Sequence, residues 1–560
     1  MSQTAFVQPT LEEIQNFEGK YPKQLWGLFF SEMWERFCFY GMRGILVFFM
    51  ISQLNFNDEQ ANLQYGATQA FVYAFTFVGG LFADKILGFR KSLFWGGLLM
   101  IVGSSILAFD PHQFFFLGIA FTVVGTGFFK PNISTMVGKL YKVDDSRRDA
   151  GFSLFYAGIN LGALLGGYLC IAIGKGEMFA NFIPENLRWN VAFGLAAIVM
   201  IISLINFVFT QRNLGSIGLE PKIENINNKK KFVTGAIILY LVLFIINLLF
   251  IFSKNSYNLE SLLILRFLIA TLIYISIVYL IYLGGKYLKY AVYILSLAFI
   301  PTIMIMVSVP KYTDYFMLTI GPLTLLYLFY EMSKVTSAER NKLWAALVFI
   351  IFSIAFWGIY EQAGGSLSIF AANNLNKDLL GLDPNGVNNS GGSFFIILLA
   401  PLVGLFWIWL SKRKLEPNTL IKFGLGFIFL GLGYYVLFAT KFFANLQGIT
   451  SLNVFTISLL VITLGELCLS PIGLSIMTKL ATEKLQGMMM GMWFLASAYG
   501  QYVAGIIGAG LATAKEGTSN YDALITYTEG YKQLGLYALI TGVVLILISP
   551  YVKKLMQEVK

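Results

Sequence analysis

The most constraining feature of this sequence is a series of sixteen apolar segments of about twenty residues or more. A helix of that length crosses a hydrocarbon layer of about 30 Å. The segments are continuously apolar rather than alternating, and lipid offers no partner to unpaired backbone groups, so helices rather than barrel strands are predicted. Only 12% of the residues are charged, against about a quarter in a soluble domain. The chain is therefore predicted to be an all-α, polytopic membrane protein, with segments near 25–51, 62–84, 92–110, 113–137, 150–174, 189–211, 232–253, 261–284, 288–309, 313–333, 343–364, 391–410, 420–440, 453–477, 487–513 and 533–552.

The net charge of +10 is explained by membrane topology and not by a nucleic-acid surface. If the N-terminus is cytoplasmic, most of the 40 Lys and Arg residues fall in loops and termini on the cytoplasmic side, as the positive-inside rule requires. We therefore predict a multi-pass protein of the cytoplasmic (inner) membrane, with both termini cytoplasmic and with lipid, not nucleic acid, as its surroundings.

The segments divide as six, four and six along the chain. Two similar six-helix halves around a central site are a common plan for membrane carriers. This order predicts an N-terminal bundle at 1–211, a linker with about four extra helices at 212–335, and a C-terminal bundle at 336–560. A total of fourteen helices also fits, because hydropathy does not separate a lateral helix from a spanning one. The longest loops predicted inside the chain, 212–231 and 373–390, are too short for a catalytic core.

The first predicted helix carries charges on one face. At 100° per residue, its polar side chains fall within an arc of about 140°. A charge at the centre of a membrane helix costs roughly 3 kcal/mol. These groups either form ion pairs near the membrane interface or, as we favour, face a water-filled cavity. The residues are Glu32, Glu35, Arg36, Tyr40 and Arg43.

Three further charges lie inside predicted helices, namely Lys130, Glu361 and Glu466. Together with the charged side chains of the first helix, the total is four carboxylates and three cations. A cluster of that composition is not neutral when every group is ionised. Crowded carboxylates away from water favour their protonated form, so we expect one glutamate to hold a proton.

A charged pattern containing Asp84 and Arg90 follows the second predicted helix, in a cytoplasmic loop. Its basic residues either satisfy the topology rule or form a conformational latch between neighbouring helix ends. A second pattern places Gly158, Gly162 and Gly166 four residues apart, which predicts a close helix-packing face.

The chain resembles the proton-dependent oligopeptide transporter family of the major facilitator superfamily, bacterial type. The resemblance covers both six-helix halves, and six motifs in family order carry it. They are Glu32-x-x-Glu35-Arg36-Phe37, Gly125 to Asn132, Phe155-Tyr156-x-x-Ile159-Asn160-x-Gly162, Trp189-x-x-Ala192-Phe193-Gly194, Phe356-Trp357-x-x-x-Glu361-Gln362 and Glu466-x-x-x-Ser470-Pro471-x-Gly473.

The resemblance implies a role for each matched residue. The family's peptide carboxylate site corresponds to Tyr40, Arg43 and Lys130, and its amino-end site to Asn160 and Glu466. The family's side-chain pockets correspond to Tyr73, Trp357 and Trp493. The family's proton-coupling motif corresponds to Glu32, Glu35 and Arg36, with Glu361 as a proton-linked group opposite Arg43.

The chain departs from the family pattern at two places. Two tyrosines are usual where this chain has Phe39-Tyr40, and Asn-Pro is usual where it has Gly392-Ser393. The four middle segments also exceed the two that are usual in bacterial relatives. These departures concern the length and the side chains of the peptide that the resemblance implies.

The function implied by the resemblance is symport of short peptides and protons by alternating access. One alternative is the same fold carrying another anion, such as nitrate, or a drug-like solute, but nitrate has no use for a negative group like Glu466. A remote alternative is a membrane sensor or an intramembrane enzyme; the sequence offers neither a paired nucleophile and base nor an output domain. We expect no metal, no other cofactor, no catalytic residues and no obligate protein partner, with protons as the coupling ion.

Overall fold

The computed structural model describes residues 9–142, 145, 147–221, 277, 279–280, 283, 287–469, 473–481, 485–512 and 519–557. Its long elements are all α-helices. They are α1 Lys23–Ser52, α2 Asp58–Phe82, α3 Phe89–Phe109, α4 Phe115–Lys139, α5 Arg148–Lys175, α6 Arg188–Thr210, α7 Leu288–Ser308, α8 Pro310–Met332, α9 Ser337–Tyr360, α10 Pro384–Lys412, α11 Thr419–Ala439, α12 Leu452–Leu469, α13 Gln486–Leu511 and α14 Asn520–Met556.

These helices confirm the predicted class of an all-α membrane protein. Within the described residues, 13 helices are long and apolar enough to cross a membrane. Helix α1 is a further helix of 30 residues, and it is the one that carries the charged face. Fourteen of the sixteen predicted segments thus correspond to described helices, while 232–253 and most of 261–284 lie outside the described residues.

Helices α1 to α6 pack on one another, and so do α9 to α14. Within the first group α1 packs on α5 and α6, and α3 packs on α4. Within the second, α9 packs on α13 and α11 lies between α12 and α14. The two groups meet where α2 packs on α13 and α5 on α10. A cavity lies between them, with walls from both groups. The boundaries proposed for three domains remain predictions.

The glycine pattern of α5 does form a packing face. A Cβ at Gly158 would lie 2.6 Å from the Phe29 ring, and at Gly162 and Gly166 it would collide with the backbone oxygens of Met33 and Phe37. Any larger side chain would therefore push α1 away. This contact fixes the charged helix against its neighbour.

The start of α10 was predicted wrongly. The stretch 373–390 was expected to be a loop because it is rich in Asn and Gly, yet the helix begins at Pro384. The Asp383 side chain accepts the Gly386 N–H at 2.8 Å, and proline is well suited to the first helical position. Because of these two residues, the helix begins seven residues before the predicted apolar segment 391–410.

Helices α7 and α8 form a pair outside the two groups. Helix α7 packs on α4, and the Trp95 ring nitrogen donates to the Ser296 hydroxyl at 2.9 Å. The Tyr502 hydroxyl of α13 donates a hydrogen bond to the Asp314 carboxylate of α8 at 2.6 Å. None of the described residues between 277 and 332 lines the central cavity. The pair thus touches both groups from the periphery.

Candidate substrate site

The cavity between the two groups has a volume of about 500 Å³. Its wall carries six charged side chains, three from α1, one from α4, one at the end of α9 and one from α12. They are Glu32, Arg36, Arg43, Lys130, Glu361 and Glu466. The structure thus brings both predicted clusters of charge to one space, which favours the water-filled cavity over ion pairs at the membrane interface.

Almost every predicted substrate and coupling residue lies on the cavity wall. Besides the six charged residues, the wall includes Tyr40, Tyr73, Asn160, Trp357 and Trp493. Glu35 is the exception, since it lies behind the wall and is fully buried. The structure gives these positions, while the roles of the side chains remain predictions.

Two glutamates on α1 share one arginine. The Arg36 guanidinium donates to both oxygens of Glu35, with 2.6 Å from Nη2 to Oε1. Its Nε also lies 3.3 Å from Oε1 of Glu32, one helical turn away. The other Glu32 oxygen has no partner among the described residues. Two carboxylates therefore compete for a single cation in a buried setting, where one of them is neutralised most cheaply by a proton.

Phe39 holds a different place from the one expected for a substrate contact. Its ring lies under the Arg36 guanidinium, 5.1 Å from centroid to Cζ, and is only 2% exposed. It is absent from the cavity wall, whereas the neighbouring Tyr40 is present. Position 39 is thus next to the ion pairs of Arg36 with Glu32 and Glu35 and not in the cavity.

The two cations nearest the predicted carboxylate site differ in their partners. Arg43 forms an ion pair with Glu361 and donates from Nε to the Tyr65 hydroxyl at 2.6 Å. Lys130 lies over the Tyr73 ring, 4.2 Å from its centroid. Within the described part of the chain no carboxylate lies within ion-pairing distance of Lys130. This ammonium is therefore the cation that is available to a bound anion.

The second group of helices contributes a carboxylate to the cavity wall. Glu466 of α12 accepts a hydrogen bond from the Tyr360 hydroxyl and is 8% exposed. Asn160, from the other group of helices, donates to the backbone oxygen of Tyr156 at 2.9 Å, which leaves its side-chain oxygen as an acceptor. These residues thus present acceptors and a carboxylate to the cavity.

Comparisons with known proteins agree on one family. A model described as the POT family matches residues 90–523. The peptide transporter YePEPT of Yersinia enterocolitica is 30% identical over 554 residues, covering 96% of each chain. The di-/tripeptide transporter of Lactococcus lactis subsp. cremoris is 30% identical over 555 residues, covering 96% of this chain and 97% of that one. The chain belongs to the POT family.

A solved structure shares the whole fold. The crystal structure of the peptide transporter POT in complex with sulfate has a TM-score of 0.74 and 29% identity, and the match covers 98% of this chain and 100% of that one. The resemblance seen in the six motifs and the major facilitator fold expected from it are therefore confirmed.

In this POT family member, ion pairs connect the two groups of helices. Lys175, at the end of α5, lies 2.5 Å from Asp383 and 3.0 Å from the Asn385 side-chain oxygen. Glu177 and Lys377 are 2.5 Å apart nearby. These pairs join the two groups of helices at the predicted external end. At the other end, the described ion pairs join residues of the same group or its adjoining segment.

The predicted latch residues do not pair with each other here. Arg90 is buried and donates to the backbone oxygens of Ile217 and Gly215, in the segment after α6. Asp84 lies 3.1 Å from Lys85, and both side chains are more than half exposed. Arg90 thus ties α3 to the chain that leaves the first group of helices. Its role as a latch remains a prediction.

Sequence reasoning missed several cavity residues. Tyr360 stands beside Glu361 in a motif that was recognised, yet it was assigned no role. Asn388 and Asn389 lie within the stretch that was expected to be a loop. The Asp383-Pro384 start signal would have placed both asparagines in the first turns of a helix, where the side chains of a spanning segment can face a cavity.

Proposed function

We propose that this protein is a proton-coupled symporter that imports di- and tripeptides across the inner membrane by alternating access. Its relatives are named as peptide and di-/tripeptide transporters. The proposal puts both termini in the cytoplasm. The protein acts as a secondary transporter and not as an enzyme, and protons take the place of a cofactor as its coupling ion.

The observation that carries this proposal is that the two groups of helices contribute opposite charges to one cavity. Lys130 on α4 offers an ammonium that no described carboxylate pairs with, while Glu466 on α12, in the other group, offers a carboxylate to the same cavity. A short peptide has a carboxylate at one end and an ammonium at the other. Charge-assisted hydrogen bonds at both ends hold its backbone and do not depend on its side chains. Such a site can bind peptides of many different sequences.

Proton coupling is supported by the surplus of carboxylates. The wall and the α1 cluster together hold Glu32, Glu35, Glu361 and Glu466 against three cations. Arg36 forms ion pairs with both Glu32 and Glu35, and Arg43 forms an ion pair with Glu361. A bound peptide brings one charge of each sign, so it leaves this surplus unchanged. One proton would make the loaded cavity neutral, and we propose that this proton crosses the membrane together with the peptide.

Nitrate and drug-like solutes remain the alternative cargo on the same fold. Nitrate would engage Lys130 but would bring no cation to the Glu466 carboxylate. An anion is repelled by this carboxylate, whereas the ammonium end of a peptide is attracted to it. The cavity therefore favours a zwitterion over a simple anion.

Uptake into proteoliposomes tests the proposal. With an inward proton gradient, we expect labelled dialanine to accumulate inside, and we expect unlabelled di- and tripeptides to compete. Tetrapeptides and nitrate should compete weakly or not at all. Accumulation that nitrate blocks and dipeptides leave unchanged would contradict the proposed cargo.

A further inference from the structure

Helix α7 is fastened to the first group of helices along its length. It packs on α4 and α2 and accepts one hydrogen bond from α3. The Phe299 ring lies 5.3 Å from the Phe75 ring of α2, measured between centroids. At the end of α7, the Gln64 side chain of α2 donates to the backbone oxygen of Ser308 at 3.1 Å. We therefore expect α7 to move together with the first group.

Helix α8 follows α7 after a single residue, but it is bonded to the second group. The Tyr502 hydroxyl of α13 donates to the Asp314 carboxylate at 2.6 Å. The Tyr499 hydroxyl, one turn earlier on α13, donates to the backbone oxygen of Met317. A Cβ at Gly321 would collide with the Tyr499 hydroxyl, so glycine makes room for the second bond. Two hydrogen bonds thus connect α8 to α13.

Asp314 is a costly residue for its position. It lies four residues after the start of α8, about 6 Å along the helix axis, in a segment that is long and apolar enough to cross a membrane. Carboxylates in such segments are rare and usually serve a function, because the ionised form loses its hydration. Among the described residues, no lysine or arginine forms an ion pair with Asp314, and its hydrogen-bond partner is Tyr502. This bond is therefore unlike the apolar contacts that hold most of the pair in place.

The bond from α13 to α8 crosses the boundary between the two groups of helices. Helix α2 of the first group packs on α13 of the second, and α8 lies beside both. The Phe316 ring of α8 is 5.3 Å from the Phe71 ring of α2, and Met317 shares one apolar cluster with an alanine of α2 and an alanine of α13. Under the predicted topology, the bond between Asp314 and Tyr502 lies in the external half of both helices.

We propose that α7 and α8 form a strap that holds the two groups together in their external halves, with the hydrogen bond between Asp314 and Tyr502 as its fastening. This inference rests on the alternating access of the proposed function, because a peptide enters from outside only when the groups separate there. Since α7 stays with the first group, that separation must break the bond to α13. The strap thus sets how often the cavity opens to the outside, without any contact with the peptide.

A cysteine at position 62 reports this opening. Asn62 is the fifth residue of α2 and is fully buried. A Cβ at Gly508 of α13 or at Gly365 after α9 would collide with its side-chain oxygen, so Asn62 lies between the two groups. A buried thiol reacts with a water-soluble maleimide in proportion to the time that its site is open. The alkylation rate of Asn62→Cys in nanodiscs therefore measures the open population, and the protein without this substitution gives the background from its three buried cysteines.

Two substitutions remove the fastening from opposite sides. Tyr502→Phe deletes one hydroxyl, and Asp314→Leu deletes its acceptor. Each should raise the alkylation rate about tenfold, the size of a lost hydrogen bond to a charged group. The double variant should show no further rise, because both changes remove the same bond. Asp314→Asn keeps an acceptor and should stay closer to the wild-type rate. Tyr327→Phe, on the exposed face of α8, is the matched control and should leave the rate unchanged.

An unchanged rate in both single variants, or a rise of the same size in Tyr327→Phe, would overturn the strap. Tyr502→Phe alone decides the question if Asp314→Leu does not fold. The measurement needs no peptide, so it is separate from the test of the cargo. A wild-type protein that fails to accumulate dialanine, with a faster alkylation in Tyr502→Phe, would overturn the peptide proposal and support the strap.

Discussion

Glu35→Gln is expected to abolish accumulation of peptide driven by a proton gradient, while exchange of peptide between compartments of equal pH continues. The amide keeps the shape of the protonated carboxyl and its place beside Arg36, but it cannot release a proton. One coupled proton and a gradient of one pH unit sustain a concentration ratio of about tenfold. We expect that ratio in the wild type and a ratio of about one in the variant.

The measurement is paired uptake and counterflow in the same proteoliposome preparation. Glu185→Gln, at an exposed position in the connection between α5 and α6, is the control and should accumulate peptide like the wild type. Glu32→Gln tests the second carboxylate of the pair. Undiminished accumulation by Glu35→Gln would remove this residue from proton coupling, and loss of counterflow together with accumulation would indicate a structural role instead.

Lys130→Ala and Glu466→Ala should have opposite preferences for blocked peptides. Lys130→Ala should weaken binding of free dialanine by about 100-fold but barely affect its C-terminal amide, since the amide makes no ion pair with the lysine. Glu466→Ala should weaken binding of free amino ends far more than that of N-acetylated ones. Removing one partner of a buried charge pair costs ~2–5 kcal/mol, which corresponds to losses of this size.

Arg43→Ala extends the same experiment to the second cation. We expect the same direction as for Lys130→Ala, with a smaller contrast between ligands, because Arg43 also pairs with Glu361. Adding Glu361→Gln should recover part of the loss, since it removes the carboxylate left without its partner. Identical losses for free and blocked peptides in all variants would show that these residues act on the fold and not on the ligand.

The sequence allowed the fold and much of the cavity to be predicted because both depend on local patterns. Helical periodicity alone placed Glu32, Arg36 and Arg43 on one face, and the cost of burying them predicted a cavity. Ion pairs between helices that are distant in the sequence could not be predicted in this way. Arg43 meets Glu361 from 318 positions away, and only the packing of the two groups of helices brings them together.

One cavity residue was not predicted because of the composition around it. Asn and Gly are abundant before α10, and that composition is typical of loops, so Asn388 was overlooked in a helix that Asp383 caps. Glu35 and Phe39 lie on the same helix as the cavity residues but turn towards its neighbours. Helical periodicity gives the angle of each side chain around the helix axis, but only the packing of neighbouring helices decides which of those angles face the cavity.

The most direct test of peptide–proton symport is the proton movement that a peptide gradient causes by itself. Proteoliposomes carrying a trapped pH dye, with equal pH on both sides and the membrane potential clamped, are given external dialanine. We predict that the lumen becomes acidic, that the signal saturates with dialanine, and that Glu35→Gln abolishes it. Entry of labelled dialanine with no change in internal pH would contradict the account.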